Sequence, residues 1–172
     1  VVAVCAKTQS VSGYAVRMLY QNSLLLISIG ALSNVSLYNE TQSASNLNGI
    51  KIYLPAGAIG GLDVIRTGNI MGGLNAVSLV SRKLFTAFSN EQYNKETVLF
   101  NGSAKNAIQK YPQNANVAIV LSLAGIGIEK TSVKIIADPA VNKNIHEIYA
   151  EGVFGEVDIT VQNNPSEGNA KT

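Results

Sequence analysis

The chain is poor in the residues that most often carry metal, redox or proton chemistry. Its 172 residues include no tryptophan, one cysteine and one histidine. A lone cysteine cannot form an intramolecular disulfide, and one cysteine with one histidine cannot supply the ligand set of a structural zinc ion. We therefore expect Cys5 to be a reduced, buried thiol in a cytoplasmic protein that binds no metal.

Charge is scarce as well, which narrows the range of partners. Only 14% of the residues are charged, and the net charge is +2. The lysines and arginines form no basic run, so the sequence predicts no binding of nucleic acid or of acidic membranes. No apolar stretch approaches the ~18 residues of a membrane span. The 47% of hydrophobic residues is typical of a globular protein with a real core.

Several motifs that would identify an enzyme class are missing. The chain has no G-x-G-x-x-G dinucleotide fingerprint, no phosphate-binding G-x-x-x-x-G-K-[ST] string and no G-x-S-x-G nucleophile turn. These 172 residues therefore offer no nucleotide triphosphate site of the P-loop type and no nucleophile turn of the α/β serine hydrolases. Any chemistry has to come from a less regular set of residues.

The first part of the chain has the pattern of a parallel sheet. "VVAVCA" predicts a buried strand, "TQSVSGYAVRMLYQNS" a helix and "LLLISIGAL" a second apolar strand. Wholly apolar strands joined by a helix are typical of doubly wound sheets, which bind ligands outside the carboxyl ends of their strands. "SNVSLYNETQSASN" then predicts a helix, and "IKIYL" a strand that ends at Pro55.

The later part has a different pattern. "AGAIGG" is a glycine-rich turn, or alternatively a plain connector between domains, and leads into a short helix through "LDVI". "LNAVSLVSRKL" predicts a strand, and "TVLFNGSAKNAIQKYP" a strand followed by a helix. "NANVAIVLSLAGIG" predicts a buried helix, although its composition also permits a strand. "TSVKIIADP", "NIHEIYAEG" and "EVDITVQNN" predict three strands in an antiparallel meander, so we expect two domains joined near Ala56–Gly61.

His146 is the first candidate for proton chemistry. In a hairpin with residues 139–143 as its loop, Asp138, Asn144 and His146 share one face, and Asp138 lies diagonal to His146. A carboxylate there would fix the imidazole tautomer and raise its pKa, as a general acid/base requires. The alternative is a polar sheet face that meets solvent. Lys83, at a strand end, is either a solvated cation or a clamp for an anion.

Four strings in order along the chain carry a family resemblance. "LPAGAIGGLD", "NANVAIVLSLAGIG", "IIADPAVNKNIHEI" and "NPSEGNAKT" together resemble the L-aspartate dehydrogenases, which depend on NAD or NADP. The resemblance implies an α/β plus α+β fold: residues 1–57 form the back of a Rossmann domain, residues 58–163 a catalytic and dimerisation domain with a mixed, largely antiparallel sheet, and residues 164–172 a returning loop. It also implies that the glycine-rich turn precedes Val1 and that further helices follow Thr172.

The resemblance assigns roles residue by residue. His146 matches the catalytic histidine of the family's N-x-H-x-I string, with Asn144 and Ile148 in place. We expect Asp138, from its position in the hairpin, to orient His146 and Asn144 to bind the substrate. Lys83 matches a lysine that we expect to bind a substrate carboxylate, with Arg82 as the reserve. Five residues match positions at the cofactor: Ser28, Gly30, Ala31, Ala58 and Asn116. The sequence departs from the family at Ala56, Leu84, Phe85 and Ala170, which concerns only the finer substrate contacts.

The expected activity is oxidation of L-aspartate to iminoaspartate, which hydrolyses to oxaloacetate and ammonia or feeds NAD biosynthesis. Two alternatives stay open. One is a related two-domain enzyme of the homoserine dehydrogenase or dihydrodipicolinate reductase type, and the other is a domain that only binds or assembles. The residues Val133, Ile135, Ile145, Tyr149 and Ile159 of the predicted meander also favour a homodimer that uses this sheet.

Overall fold

The chain folds into two compact units, Val1–Pro55 and Ala56–Thr172. The computed structural model describes residues 2–4, 22–27, 29–88, 93–112, 114 and 116–165. Nearly all of the helix predicted for residues 8–23 lies outside the described residues, as do Cys5 and Ser28. No helix in these ranges combines the length and the apolar character that crossing a membrane requires.

The first unit contains a three-stranded parallel sheet in the order β1–β2–β3, formed by Val2–Val4, Leu24–Leu26 and Ile52–Tyr53. Helix α1, Val35–Asn48, connects β2 to β3. Asn34 begins it by accepting a hydrogen bond from the Leu37 N–H at 3.2 Å, and Gly49 ends it with a φ of +63°. The predicted parallel strands and the predicted helix after them are confirmed.

The predicted strand "LLLISIGAL" is wrong in its second half. β2 ends at Leu26, and Ile29–Ser33 form a 3₁₀ helix. Leu24 and Leu26 are fully buried whereas Ile27 is 46% exposed, so the burial of the strand does not continue. A continuous apolar run carries no periodicity by which an extended segment could be told from a helical turn.

The second unit is built on a five-stranded mixed sheet in the order β5–β6–β4–β7–β8. The strands are β4 Leu74–Lys83, β5 Thr97–Ser103, β6 Ser132–Ala137, β7 Asn144–Gly152 and β8 Gly155–Asn163. β4 and β6 are parallel, and the other neighbours are antiparallel. This mixed sheet confirms the expected fold class.

Three α-helices and a short 3₁₀ helix, Phe85–Ala87, accompany this sheet within the described residues. The α-helices are α2 Leu62–Ile70, α3 Ala104–Lys110 and α4 Asn116–Ala124, and each was predicted from the sequence. The helical conformation of Asn116–Ala124 settles the choice between helix and strand for "NANVAIVLSLAGIG", and α4 is buried along nearly its whole length.

The predicted antiparallel meander is wrong at its first step. β7 and β8 do form a hairpin, but β4 lies between β6 and β7 and pairs with both. The six residues 138–143 can span up to ~20 Å when extended, and the distance from β6 across β4 to β7 is ~10 Å. This loop is therefore long enough to connect two strands that are not neighbours. The alternation along each strand was correct, but alternation does not determine which strand lies next to which.

The sheet has one helix-covered face and one open face. On the helix-covered face, Val77, Leu79, Ile148 and Ala150 are all at most 2% exposed. A Cβ on Gly125, just after α4, would lie 3.2 Å from Cγ2 of Val77, so the end of this helix packs directly on β4. The open face carries four exposed acidic side chains, Glu147, Glu151, Glu156 and Asp158.

The turn before α2 packs tightly on β8 and gives a test of this arrangement. Gly61 has a φ of +70°, and a Cβ there would lie 2.0 Å from Cδ1 of Ile159. We expect Gly61→Ala to lower the free energy of unfolding by roughly 2–4 kcal/mol, from backbone strain and overpacking together. Gly57 has a φ of +65° but open space, so Gly57→Ala should cost only the strain, about 1–2 kcal/mol.

Gly60→Ala is the matched control, because Gly60 has neither a positive φ nor an atom within 4 Å of its Cβ position. It should change the free energy of unfolding by less than about 0.5 kcal/mol. Urea unfolding of the three variants measures the series. Equal losses for Gly57→Ala and Gly61→Ala would contradict the packing of this turn on β8.

Candidate functional site

Polar side chains gather at one end of the helix-covered face, where the rest of the face is apolar. Alternate residues of β4 lie on the same face of the sheet, so Ser81 and Lys83 are on the helix-covered face with Val77 and Leu79. On β7, the same face carries Asn144 and His146. On β8, it ends at Asn163, which is opposite Asn144. We call these five residues the polar cluster: Ser81, Lys83, Asn144, His146 and Asn163.

His146 is at the centre of this cluster. It pairs with Ser81 on β4 and with Val161 on β8, and it is only 1% exposed. Burial, and then the charge of Lys83, lower the pKa of His146 from 6.5 to about 4. The imidazole is therefore neutral at pH 7. Its Nδ1 atom is buried without a hydrogen-bond partner.

The direction of this pKa shift has a consequence for stability. Because the pKa of His146 is lowered in the folded chain, the unfolded chain protonates this imidazole at a higher pH than the folded chain does. His146 therefore opposes folding increasingly as the pH falls from about 6.5 to about 4. Because His146 is only 1% exposed, the interpretation of it as a solvated histidine on a polar surface is wrong.

Lys83 lies two residues beyond Ser81 on the same face. It is 3% exposed, and burial lowers its pKa from 10.5 to about 8. The interpretation as a solvated cation is therefore also wrong. Burying an ammonium group raises the free energy of the folded chain unless an anionic or polar group compensates the charge. Buried lysines with lowered pKa values are common at sites that bind charged ligands.

Asp138 does not support His146 as the hairpin predicted. Because β4 separates β6 from β7, Asp138 has the parity of Arg82, on the opposite face of the sheet from His146. Its carboxylate accepts hydrogen bonds from Nη1 of Arg82 at 2.8 Å and from the Ala140 N–H at 2.8 Å. These bonds, with the one from Ala140 largest, lower the pKa of Asp138.

Arg82 is occupied by the same interactions. Its guanidinium donates to Glu96 as well as to Asp138, and these partners raise its pKa. The side chain is on the open face, so Arg82 is not available as a second clamp beside Lys83.

The predicted rise in the pKa of His146 is also wrong, since burial and the charge of Lys83 lower that pKa instead.

The glycine-rich turn is connected to the polar cluster. Nδ2 of Asn163 donates to the carbonyl oxygen of Ala58 at 2.8 Å. Asn163 is opposite Asn144, and Asn144 is two residues from His146 on the same face. Backbone pairing and one hydrogen bond therefore link Ala58, predicted to contact the cofactor, to the strand that carries His146.

Three of the other predicted cofactor residues are in helical segments, and the fourth, Ser28, is outside the described residues. Asn116 is exposed and is the first residue of α4. In the first unit, Gly30 and Ala31 belong to the 3₁₀ helix that follows β2, at the carboxyl end of that strand. Ala31 is 3% exposed, so a ligand there would meet backbone rather than its side chain.

Two residues of the polar cluster escaped the sequence analysis. Ser81 has the parity of Lys83 along β4, and this i, i+2 spacing was a signal that could have found it. Asn163 contacts a residue 105 positions away in the sequence, which no local pattern indicates. Within the described residues, no three His, Cys, Asp or Glu side chains are grouped so that they could hold a metal ion.

The fold and the site define an α/β protein with a parallel unit, a mixed sheet and a buried lysine–histidine pair on its helix-covered face. A sequence profile described as "Aspartate dehydrogenase, C-terminal" matches residues 63–172, more than half of the chain. The chain belongs to the aspartate dehydrogenase family.

Individual relatives agree with this assignment. The chain is 38% identical to an L-aspartate dehydrogenase of Methanosarcina mazei over 161 residues, which covers 87% of this chain and 59% of that protein. It is 36% identical to an L-aspartate dehydrogenase of Pseudomonas aeruginosa over 178 residues, 98% of this chain and 66% of that protein. The chain thus spans less than two thirds of the length of these relatives.

A solved structure is similar in fold. The crystal structure of an aspartate dehydrogenase from Thermotoga maritima superposes with a TM-score of 0.84 at 29% sequence identity. The match covers 92% of this chain and 66% of that one. The match therefore supports the α/β fold class described above.

Proposed function

We propose that the protein oxidises L-aspartate at C2 with NAD or NADP, giving iminoaspartate that water converts to oxaloacetate and ammonia. Overall, one hydride and one proton leave the substrate, and one water is consumed in the hydrolysis of the imine. The single observation that carries the proposal is the buried pair of Lys83 and His146 on one sheet face. Family membership supports it, since the relatives are named L-aspartate dehydrogenases.

His146 is the group that handles protons in this proposal. Being neutral at pH 7, it can accept a proton from the substrate amine or from the water that attacks the imine. A pKa of about 4 makes it a weak base. The two carboxylates of a bound aspartate would offset the charge of Lys83 and raise the pKa of His146 toward neutral pH.

Lys83 and Asn144 bind the substrate. A protonated lysine in a low-dielectric site forms a strong, charge-assisted hydrogen bond with a carboxylate. Asn144 is 3% exposed and lies on the same face as His146, where its amide can bind a substrate carboxylate or amine. The two side chains would hold C2 of the substrate in a fixed orientation relative to His146.

The residues of the second unit suit a nicotinamide cofactor. The positions of Gly57 and Gly60 beside Ala58 have no atom within 4 Å of where a Cβ would be, which leaves room for a flat ring against the backbone. Within this unit, Ala58 and Asn116 are the residues proposed to hold the nicotinamide. A nicotinamide held there would supply the acceptor for the hydride that leaves C2 of the substrate.

Two wider aspects of the proposal concern the cell and the assembly. Iminoaspartate is proposed to feed NAD biosynthesis, and the protein to form a homodimer through its sheet. The residues expected to favour a dimer divide between the faces: Val133 and Ile135 are buried inside the unit, and Ile159 also has the parity of the helix-covered face. Only Ile145 and Tyr149 are on the open face, so any dimer contact there is more polar than the sequence predicted.

A substrate panel tests the proposed function. The full-length protein is offered L-aspartate, homoserine and dihydrodipicolinate with each cofactor, and the change in reduced nicotinamide is followed by absorbance. We expect turnover of L-aspartate and no turnover of homoserine or dihydrodipicolinate. Turnover of homoserine or dihydrodipicolinate instead would assign a related enzyme. Absence of both turnover and cofactor binding would support a domain that only assembles.

A further inference from the structure

Ser81 is a buried polar residue to which the proposed mechanism gives no role. It is 2% exposed, and its Oγ atom has no hydrogen-bond partner. Leaving a buried hydroxyl unpaired is energetically costly, so such a group normally has a partner in the working protein. An unpaired hydroxyl in the middle of the sheet therefore requires an explanation.

The nearest group with the same deficit is His146. Ser81 and His146 are directly opposite each other on β4 and β7, and Nδ1 of His146 is likewise buried without a partner. Directly opposite residues of an antiparallel pair have Cβ atoms ~4.5–5.5 Å apart. Rotation of either side chain, or one water between them, is enough to join the two atoms.

No other side chain in the same row can serve this purpose. The row across the sheet reads Ile135, Ser81, His146 and Val161, so the outer neighbours of both polar residues are apolar. A serine hydroxyl can accept a hydrogen bond from an imidazole N–H. A neutral imidazole carries its proton on only one of its two nitrogens. A hydrogen-bond acceptor beside one nitrogen favours the tautomer with the proton on that nitrogen.

We propose that Ser81 is a positioning residue for His146: its Oγ accepts a hydrogen bond from Nδ1–H, directly or through one water, and this leaves Nε2 as the basic nitrogen. The inference rests on the proposed function, because it names how the proposed proton acceptor is oriented. Without the serine, the proton is free to move to Nε2, and the basic nitrogen then faces the wrong way.

Nitrogen NMR tests the proposal without any substrate. The protein is labelled with ¹⁵N-histidine, and the His146→Ala spectrum assigns the His146 signal. At neutral pH we expect the tautomer with the proton on Nδ1 in the wild type and in Ser81→Thr, which keeps the hydroxyl. Ser81→Ala should give a mixture or the Nε2–H tautomer. Ser78→Ala, on the same strand but the opposite face, is the matched control and should resemble the wild type.

Kinetics separates positioning from a purely structural role. Ser81→Ala should lower kcat by roughly 3- to 10-fold with little change in KM, which corresponds to the loss of one hydrogen bond. Ser81→Thr should restore it. An Nε2–H tautomer in the wild type, or an unchanged tautomer in Ser81→Ala, overturns the proposal. If the tautomer responds to Ser81→Ala in a protein that does not oxidise aspartate, the positioning stands and the proposed function fails.

Discussion

Replacing Lys83 with methionine is expected to lower kcat/KM for L-aspartate by roughly 10- to 100-fold, mainly through KM. The reason is the loss of a charge-assisted hydrogen bond to a substrate carboxylate, worth about 1.5–3 kcal/mol. Methionine fills a similar volume, and it removes an ammonium whose burial is costly. Steady-state kinetics over a range of aspartate concentrations measures the effect.

The same variant carries a second signature. The charge of Lys83 helps to lower the pKa of His146, so Lys83→Met should raise that pKa. The acid limb of the pH profile of kcat/KM, or the imidazole signal in an NMR titration, reports this shift.

Lys134→Met is the matched control for this experiment. Lys134 is on the neighbouring strand β6 with the parity of the open face, opposite Val80. It should leave KM and the pH profile unchanged. Values of kcat/KM for Lys83→Met within about twofold of the wild type would contradict a substrate clamp, because that difference is less than ~0.5 kcal/mol.

The elements that depend on local patterns could be predicted from the sequence. The alternation along "LNAVSLVSRKL" and "NIHEIYAEG" predicted β4 and β7. The helices α1 to α4 were also predicted, although the pattern of the α1 region is weak and the composition of the α4 region also permits a strand. The parallel character of the first unit was inferred from its wholly apolar strands. Each of these features is determined by residues that are close in the sequence, which is why sequence patterns are sufficient for them.

Strand order could not be derived in this way, and it changed the site. Because β4 lies between β6 and β7, Asp138 contacts Arg82 instead of His146. The residues of the neighbouring strand on the same face as His146 are Ser81 and Lys83. A residue's parity determines its face only once its neighbours are known. The position of His146 within its strand was predictable, but its partners were not, and the direction of its pKa shift was predicted wrongly for that reason.

Replacing His146 has the largest expected effect. If His146 takes the proton, His146→Ala should lower kcat by roughly 10²–10⁴-fold, the usual contribution of general acid–base catalysis. Cofactor binding, which in this account depends on Ala58, Asn116 and the first unit, should change little. Turnover and cofactor titration measure the two effects separately.

Two further variants exclude a loss of activity that comes only from the fold. His146→Gln keeps a polar side chain of similar size but cannot take a proton near neutral pH, so it should be as inactive as His146→Ala while melting closer to the wild type. Glu147→Ala changes the next residue, which is exposed on the open face, and should keep full activity. If stability and rate fell together in both His146 variants, the residue would be structural.

The most direct test of the account is kcat for His146→Ala, measured on protein whose folded state is verified by thermal melting. Because this imidazole, buried on the same sheet face as Lys83, is proposed to transfer the proton, we predict a loss of at least about 100-fold. A folded variant that keeps more than about a third of the wild-type kcat has lost less than ~0.7 kcal/mol of barrier stabilisation, which would contradict a catalytic role for His146.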